Sequence, residues 1–286
     1  MTLLMNHLLY GVQNAERITL MNVTKLTSTP WNAPELRGNL AGMRYPAFAE
    51  IKLDGEFNFI EFNGKDIRTI NKYGTQKTEF HDLQKMFYML EGSGVKQAVL
   101  LCELYWDKGK SGDLYKFLCH KTDNNVHIHV FDVLMRDDVD LRSEPLVSRK
   151  EHLWEMVGQW QIGDVIVNNP LEAEGIFVNT TSNGYEGIVL KSLDSPLILG
   201  PCSWVKMKYK DRNDYRVVTL DLHKERIEVE VPQPPIRKPS VIVGVKAPNR
   251  YKKHIKIGDM VTIEHQGVLE SGSLRHPVLI PKKEWL

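Results

Sequence analysis

The chain has 286 residues, 42% of them hydrophobic, and a formal net charge of +1. That is apolar content enough for a sizeable core, more readily in two domains than in one, and no apolar run approaches the roughly eighteen residues of a membrane span. The opening stretch MTLLMNHLLYGVQNAERITLMNV lacks the basic start and small-residue cleavage site of a secretory signal, and three scattered cysteines (Cys102, Cys119, Cys202) argue for a reducing, intracellular setting without a disulfide framework.

Residues 1–45 are the least legible and are read as an N-terminal extension packed on, or part of, the first domain. Within them, TSTPWNAPELRG has turn chemistry and predicts a short helix near 34–37. A β-rich stretch follows. Residues 48–52 and 57–62 read as strands, and Asn63-Gly64 is a two-residue hairpin signal leading to a strand over 67–71. Phe80, Leu83, Phe87 and Leu90 stand at helical spacing in 79–90. AVLLCELYW (98–106) and VHIHVFDVL (126–134) predict buried strands. A helix over 148–160 carries Leu153, Met156, Val157 and Trp160 on one side. A short strand over 165–168, a short helix over 171–179 and strands over 186–192 and 204–210 complete a first domain placed at 46–211.

Past residue 211 the texture changes. Short strands over 215–222, 226–231, 241–246, 260–265 and 278–280 alternate with turns, and the proline-rich PQPPIRKP is unfit for a sheet interior. Five short strands predict a small β-barrel over 212–286, the OB-fold being the commonest such module that grips nucleic acid. Charge supports that reading. From Trp204 onward there are 17 Lys and Arg against 10 Asp and Glu, whereas the remainder is acidic by six. A basic C-terminal part suggests a polyanion held mainly at that end.

The informative pattern is ionisable residues inside apolar strands: Glu50 and Lys52, Glu103, Asp132, Glu186 and Lys191, Lys206 and Lys208. Buried charges are costly unless paired or bound to a ligand. Alternation puts Glu50 and Lys52 on one strand face, and Lys206 and Lys208 on one face of theirs. Lysines and carboxylates converging on one cleft suit a polyphosphate with a divalent cation. There is no G-x-x-x-x-G-K-[ST], so this is not a P-loop site. Taken singly, Glu103 could face solvent on an edge strand, Phe131 could be plain core, and Lys206 and Lys208 could be a solvated face. His127 and His129 alternate near Cys119 and His120, but no C-x-x-C pair supports zinc there.

As an ordered set, these residues resemble the ATP-dependent DNA ligases, within the covalent nucleotidyltransferase superfamily. The likeness covers roughly residues 45–286. EIKLDG resembles the nucleophile motif, which implies Lys52 as the adenylated residue and Glu50 as the contact to the adenine amino group. NKYG (71–74) resembles the next motif, with Lys72 where the family usually has arginine. CELYW implies Glu103 as a ribose- and metal-contacting carboxylate, and VFDVL implies Phe131 as the ring stacked on adenine. EGIVLKS implies Glu186 as a metal-linked carboxylate, and WVKMKYK implies Lys206 and Lys208 as the pair facing the α-phosphate. GSLRHPVLI is similar to the closing stretch of the ligase OB domain.

The implied fold is α+β: a nucleotidyltransferase domain of antiparallel sheets flanked by helices, then an OB-fold barrel. The implied cofactors are ATP, carried as AMP on Lys52, and Mg²⁺, with Mn²⁺ as a substitute. The implied partner is nicked double-stranded DNA, with no membrane, bound by a monomeric, intracellular enzyme of minimal two-domain form, cytoplasmic or viral in a host cell. Lysine attacks only when neutral, and crowding by Lys206, Lys208 and metal would favour that form of Lys52. Three positions depart from the family pattern. Phe57 stands where an arginine is common, with Asn58 or Arg68 as candidates for its role; Lys72 replaces a second arginine; and PKKEWL, with Lys282 and Lys283, ends the chain in place of Arg-x-Asp-Lys. The alternatives are an RNA ligase, a GTP-using capping enzyme, or a catalytically inactive nick-binding protein.

Overall fold

The structure is a computed structural model that describes residues 27–30, 40, 42–71, 74–106, 126–160, 164–197, 201–221, 223–233, 238–269 and 271–285. The chain falls into two compact units, Met1–Lys208 and Tyr209–Leu286.

Two sheets build the first unit. One is five-stranded, in the order β1 (Thr27–Pro30), β11 (Pro201–Lys208), β10 (Gly187–Ser192), β2 (Ala47–Lys52), β9 (Val165–Val167). The other is six-stranded, in the order β5 (Gln76–Lys77), β4 (Ile67–Asn71), β3 (Glu56–Phe62), β6 (Ala98–Trp106), β7 (Val126–Arg136), β8 (Val139–Asp140). Helices α1 (His81–Gly92) and α2 (Leu146–Val157) bury their apolar stripes against the six-stranded sheet, in a core that includes Ile60, Leu83, Leu100, Val130 and Leu153. Helix α3 (Pro170–Ser182) is capped by Asn169, whose side chain accepts from the Glu172 N–H, and it starts with proline. It covers the five-stranded sheet through Ala173, Ile188, Leu190 and Met207. A third cluster joins the inner faces of the two sheets: Phe59, Leu101, Leu197 and Trp204, flanked by Phe57, Phe131 and Val189.

Strand alternation decides what lies between the sheets. Ala47 and Ala49, Ile188 and Leu190, and Val205 and Met207 pack outward in the α3-side core. Glu50 and Lys52, Val189 and Lys191, and Lys206 and Lys208 therefore face inward. Register lines them up. Glu50, Val189 and Lys206 form one transverse row, and Lys52, Gly187 and Lys208 the next. The same logic buries Cys102, a free cysteine, on the helix side of the other sheet.

Residues 27–30, read as turn chemistry, instead form β1, an edge strand parallel to β11. An edge tolerates Pro30 because only one side of the strand needs its donors. The helix expected near 34–37 lies outside the described residues. β6 sits between β3 and β7, so Glu103 is not on an edge. No helix of the described residues is long and apolar enough to cross a membrane.

The second unit is a closed barrel in the order β12 (Asp211–Asp221), β13 (Arg226–Gln233), β14 (Lys238–Lys246), β16 (Val278–Leu279), β15 (Met260–His265). Val217, Ile227, Val229, Val245 and Ile263 fill it. Within PQPPIRKP, Pro232 stands at the end of β13 and Pro239 at the start of β14, strand ends that tolerate proline, and residues 234–237 lie outside the described residues. Buried Glu264 holds Lys210 at 2.6 Å and Arg212 at 2.8 Å.

Candidate active site

Lys52 is the last residue of β2. Its Nζ lies 2.5 Å from Glu186 Oε2, and Lys208 Nζ lies 2.8 Å from Glu186 Oε1. Burial alone would raise the Glu186 carboxyl, but Lys52 and Lys208 outweigh it and hold it below the usual carboxylate range. Glu103 approaches from the facing sheet. Burial raises it to about 7, with Lys52 and Lys206 opposing and Glu186 adding to the rise, and it accepts a hydrogen bond from the Gly55 N–H. One site thus gathers Lys52, Lys206, Lys208, Glu103 and Glu186.

Two glycines make this convergence possible. A Cβ on Gly55 would stand 2.1 Å from Leu104 O and 2.8 Å from Glu103 Cγ. A Cβ on Gly187 (φ +151°) would stand 1.9 Å from Met207 O. Glycine in Lys-x-Asp-Gly therefore brings the turn against β6, and glycine in Glu-Gly brings β10 against the strand of Lys206 and Lys208.

Beside the lysines lies an apolar platform. Phe131 meets Trp204 edge-on, with ring centres 6.1 Å apart, and tilts against Phe57 at the same distance. Phe57 also packs edge-on against Phe59 at 5.0 Å. At Phe57, the position where the resemblance makes an arginine common, this chain extends the aromatic wall. Asn58 faces the helix side, buried, with its Nδ2 donating to Glu56. Arg68 is held by Glu61 at 2.6 Å and by Gln76 at 3.2 Å. Lys72 lies outside the described residues. At the C-terminus, Lys282 Nζ lies 5.7 Å over the Trp285 ring, which stacks on His254.

Glu50 is 3% exposed and sits at the edge of the platform, directly across from Val189. One of its oxygens pairs with Lys191, and the other lies 2.8 Å from Lys150 Nζ. Lys150 in turn lies 2.7 Å from Asp164. Burial would raise the Glu50 carboxyl, but the two lysines hold it down at about 2. Lys191 Nζ lies 4.5 Å from the Phe131 ring centre and 4.1 Å from that of Trp204. Lys150 and Asp164 are absent from the residues that the sequence singles out, although a signal existed. Leu146, Lys150, Leu153 and Val157 share one helical stripe, so Lys150 stands at a core position of α2.

A deeper pair braces the arrangement. Arg149 and Asp132, both 0% exposed, form a two-pronged ion pair at 2.7 and 3.0 Å. The third guanidinium nitrogen donates to Glu144 O and Ser195 O, tying α2 and β7 to the segment after β10. Among the described residues, no group of three or more metal-ligand side chains occurs.

Fold and site together define an α+β nucleotidyltransferase core followed by an OB-like barrel. A family profile described as "ATP dependent DNA ligase domain" matches residues 34–208. The chain belongs to that family. DNA ligases of Pyrobaculum neutrophilum and Staphylothermus marinus are 28% and 27% identical over 211 and 194 residues, or 66% and 61% of this chain. Those regions are 34% and 32% of the relatives, so the chain spans about a third of each curated relative. Among solved structures, one titled Pmar-Lig_PreS3 superposes with a TM-score of 0.66 at 17% identity, covering 88% of this chain and 66% of that one. A Lig E DNA ligase gives 0.60 at 15% identity, covering 82% and 92%. The bacteriophage T7 ATP-dependent DNA ligase gives 0.51 at 15%, covering 92% and 99%. These likenesses concern the fold.

Proposed function

We propose that the chain seals nicks in duplex DNA through a lysyl-AMP intermediate. The observation that carries this reading is the lysine–carboxylate knot itself, in which Glu186 lies within 2.8 Å of both Lys52 and Lys208 and Glu103 faces them. In the first step the neutral Lys52 amine attacks the α-phosphorus of ATP. An N–P bond forms, the bond to pyrophosphate breaks, and the amine loses a proton. In the second step the AMP passes to the 5′-phosphate at a nick, freeing Lys52. In the third, the adjacent 3′-hydroxyl attacks that phosphate, AMP leaves, and the hydroxyl proton is released.

The side chains present fit these tasks. The ion pair with Glu186 holds Lys52 in place, and positioning together with charge neutralisation accounts for much of the rate in phosphoryl transfer. Lys206 and Lys208 stand in successive rows beside Lys52 and would neutralise the α-phosphate. Phe131 and Val189 offer adenine an apolar face, with acceptor Glu50 at its edge. Glu103 and Glu186 would hold Mg²⁺ or Mn²⁺, because Mg²⁺ commonly takes one or two carboxylates and completes its shell with phosphates and water. Glu103 fits that task well, since burial leaves its negative charge undercompensated. The bound ion would neutralise phosphate charge. The basic barrel would grip the duplex backbone without reading sequence.

The test is a single reaction series. The chain is incubated with α-labelled ATP and Mg²⁺ and then with nicked DNA. Label enters the protein and leaves as AMP while the nick closes, and Lys52→Ala takes up none. Label on the Lys52→Ala chain would refute the assignment, and sealing of RNA ends in preference to nicked DNA would redirect it.

A further inference from the structure

Glu50 belongs to a closed electrostatic cluster. Each of its oxygens meets one buried lysine, Lys150 from α2 and Lys191 from β10, and Lys150 is shared with Asp164 just before β9. The four formal charges cancel. Phe48 lies beneath Lys150, at 5.8 Å from its Nζ, and His129 is buried beside the cluster. An ionised carboxylate only accepts hydrogen bonds, and its two oxygens offer about four lone-pair directions. Oε2 meets Lys191, whereas buried Oε1, ion-paired with Lys150, has no hydrogen-bond partner of its own and so keeps an acceptor direction unfilled, with Val189 opposite Glu50 on the neighbouring strand.

Without Lys150, the carboxylate would keep one partner and could swing on its side-chain torsions. Lys191 cannot replace it, since its ammonium is already wedged between the Phe131 and Trp204 rings. We infer that Lys150 is a positioning residue for base selection: it holds the Glu50 carboxylate at the angle that accepts a hydrogen bond from the exocyclic amine of a purine nucleotide. The inference rests on the nucleotide reading of this site, but it assigns a role to a side chain that meets Glu50 rather than the lysine–carboxylate knot. Asp164, 2.7 Å from Lys150 Nζ, completes the device by anchoring Lys150.

Equilibrium binding in a chelating buffer separates base selection from catalysis. The probes are ATP and purine riboside triphosphate, which lacks only the 6-amino group. The unsubstituted chain prefers ATP by on the order of tenfold, the usual worth of a hydrogen bond to a charged acceptor. Lys150→Met brings the two affinities within about threefold of each other, chiefly by weakening ATP, and Lys150→Arg restores most of the preference. Thermal unfolding shows whether each variant is folded. Should Lys150→Met not fold, Asp164→Asn takes its place, with the preference again reduced. An unchanged preference in the folded variants, or none in the unsubstituted chain, overturns the inference. Failure of Lys52 to take up label with Mg²⁺ would instead overturn the ligase reading and leave this comparison intact.

Discussion

Glu50 and Glu103 are carboxylates on facing sheets, and their surroundings push them in opposite directions. Glu103 is raised from an ordinary 4.5 to about 7. Its ionisation is therefore disfavoured by folding, and stability falls as pH rises from about 4.5 through 7, by at most about 3 kcal/mol. Glu103→Gln should raise the melting temperature near pH 8 without added divalent cation, and leave it nearly unchanged near pH 4. A shift of equal size at both pH values would mean that the carboxyl is not under this strain. Glu50 is lowered to about 2. Its contribution, also about 3 kcal/mol, is fully present above about pH 4.5 and is lost as pH falls through about 2. Glu50→Gln should accordingly flatten the acid limb of the stability curve, as followed by circular dichroism.

Among the elements, the strands that carry the site were legible because period-2 alternation is local. It alone puts Lys52, Lys206 and Lys208 on inward faces. What alternation could not show is contact between elements far apart in sequence. Lys150 meets Glu50, and Asp164 meets Lys150, only through the packing of α2 and the approach to β9, and β1 pairs with a strand more than 170 residues away. Gly187 lies between these cases: the motif glycine could be read, but its reason is the carbonyl of Met207 on the neighbouring strand. Gly187→Ala should push β10 from β11, costing about 2–4 kcal/mol in urea titrations and most of the labelling of Lys52. Arg149→Met should cost about 3–5 kcal/mol because it strands the Asp132 charge in the core. Replacing both partners with neutral residues should recover part of that loss, and no recovery in the double variant would show that the carbonyl contacts of Arg149 matter more than the ion pair.

For the whole molecule, charge is divided unevenly. The stretch from Trp204 onward is +7 in a chain of net +1. Its barrel strands were readable from turn chemistry, but their closure was not, since the β14–β16 pairing joins segments separated by β15. If the barrel supplies the grip on DNA backbone proposed above, affinity for a nicked duplex should fall at least tenfold between about 50 and 200 mM salt, whatever the sequence around the nick. A flat salt response in a filter-binding or anisotropy titration would remove the barrel from that role.

Cys102 sits on the inner strand β6, fully enclosed, and its thiol is pushed well above its ordinary value by burial. Alkylating agents attack the thiolate, so this sulfur stays silent for as long as the six-stranded sheet is shut. Peptide mapping after timed exposure to iodoacetamide would turn it into a native clock, whose ticks count how often the wall behind Glu103 comes apart.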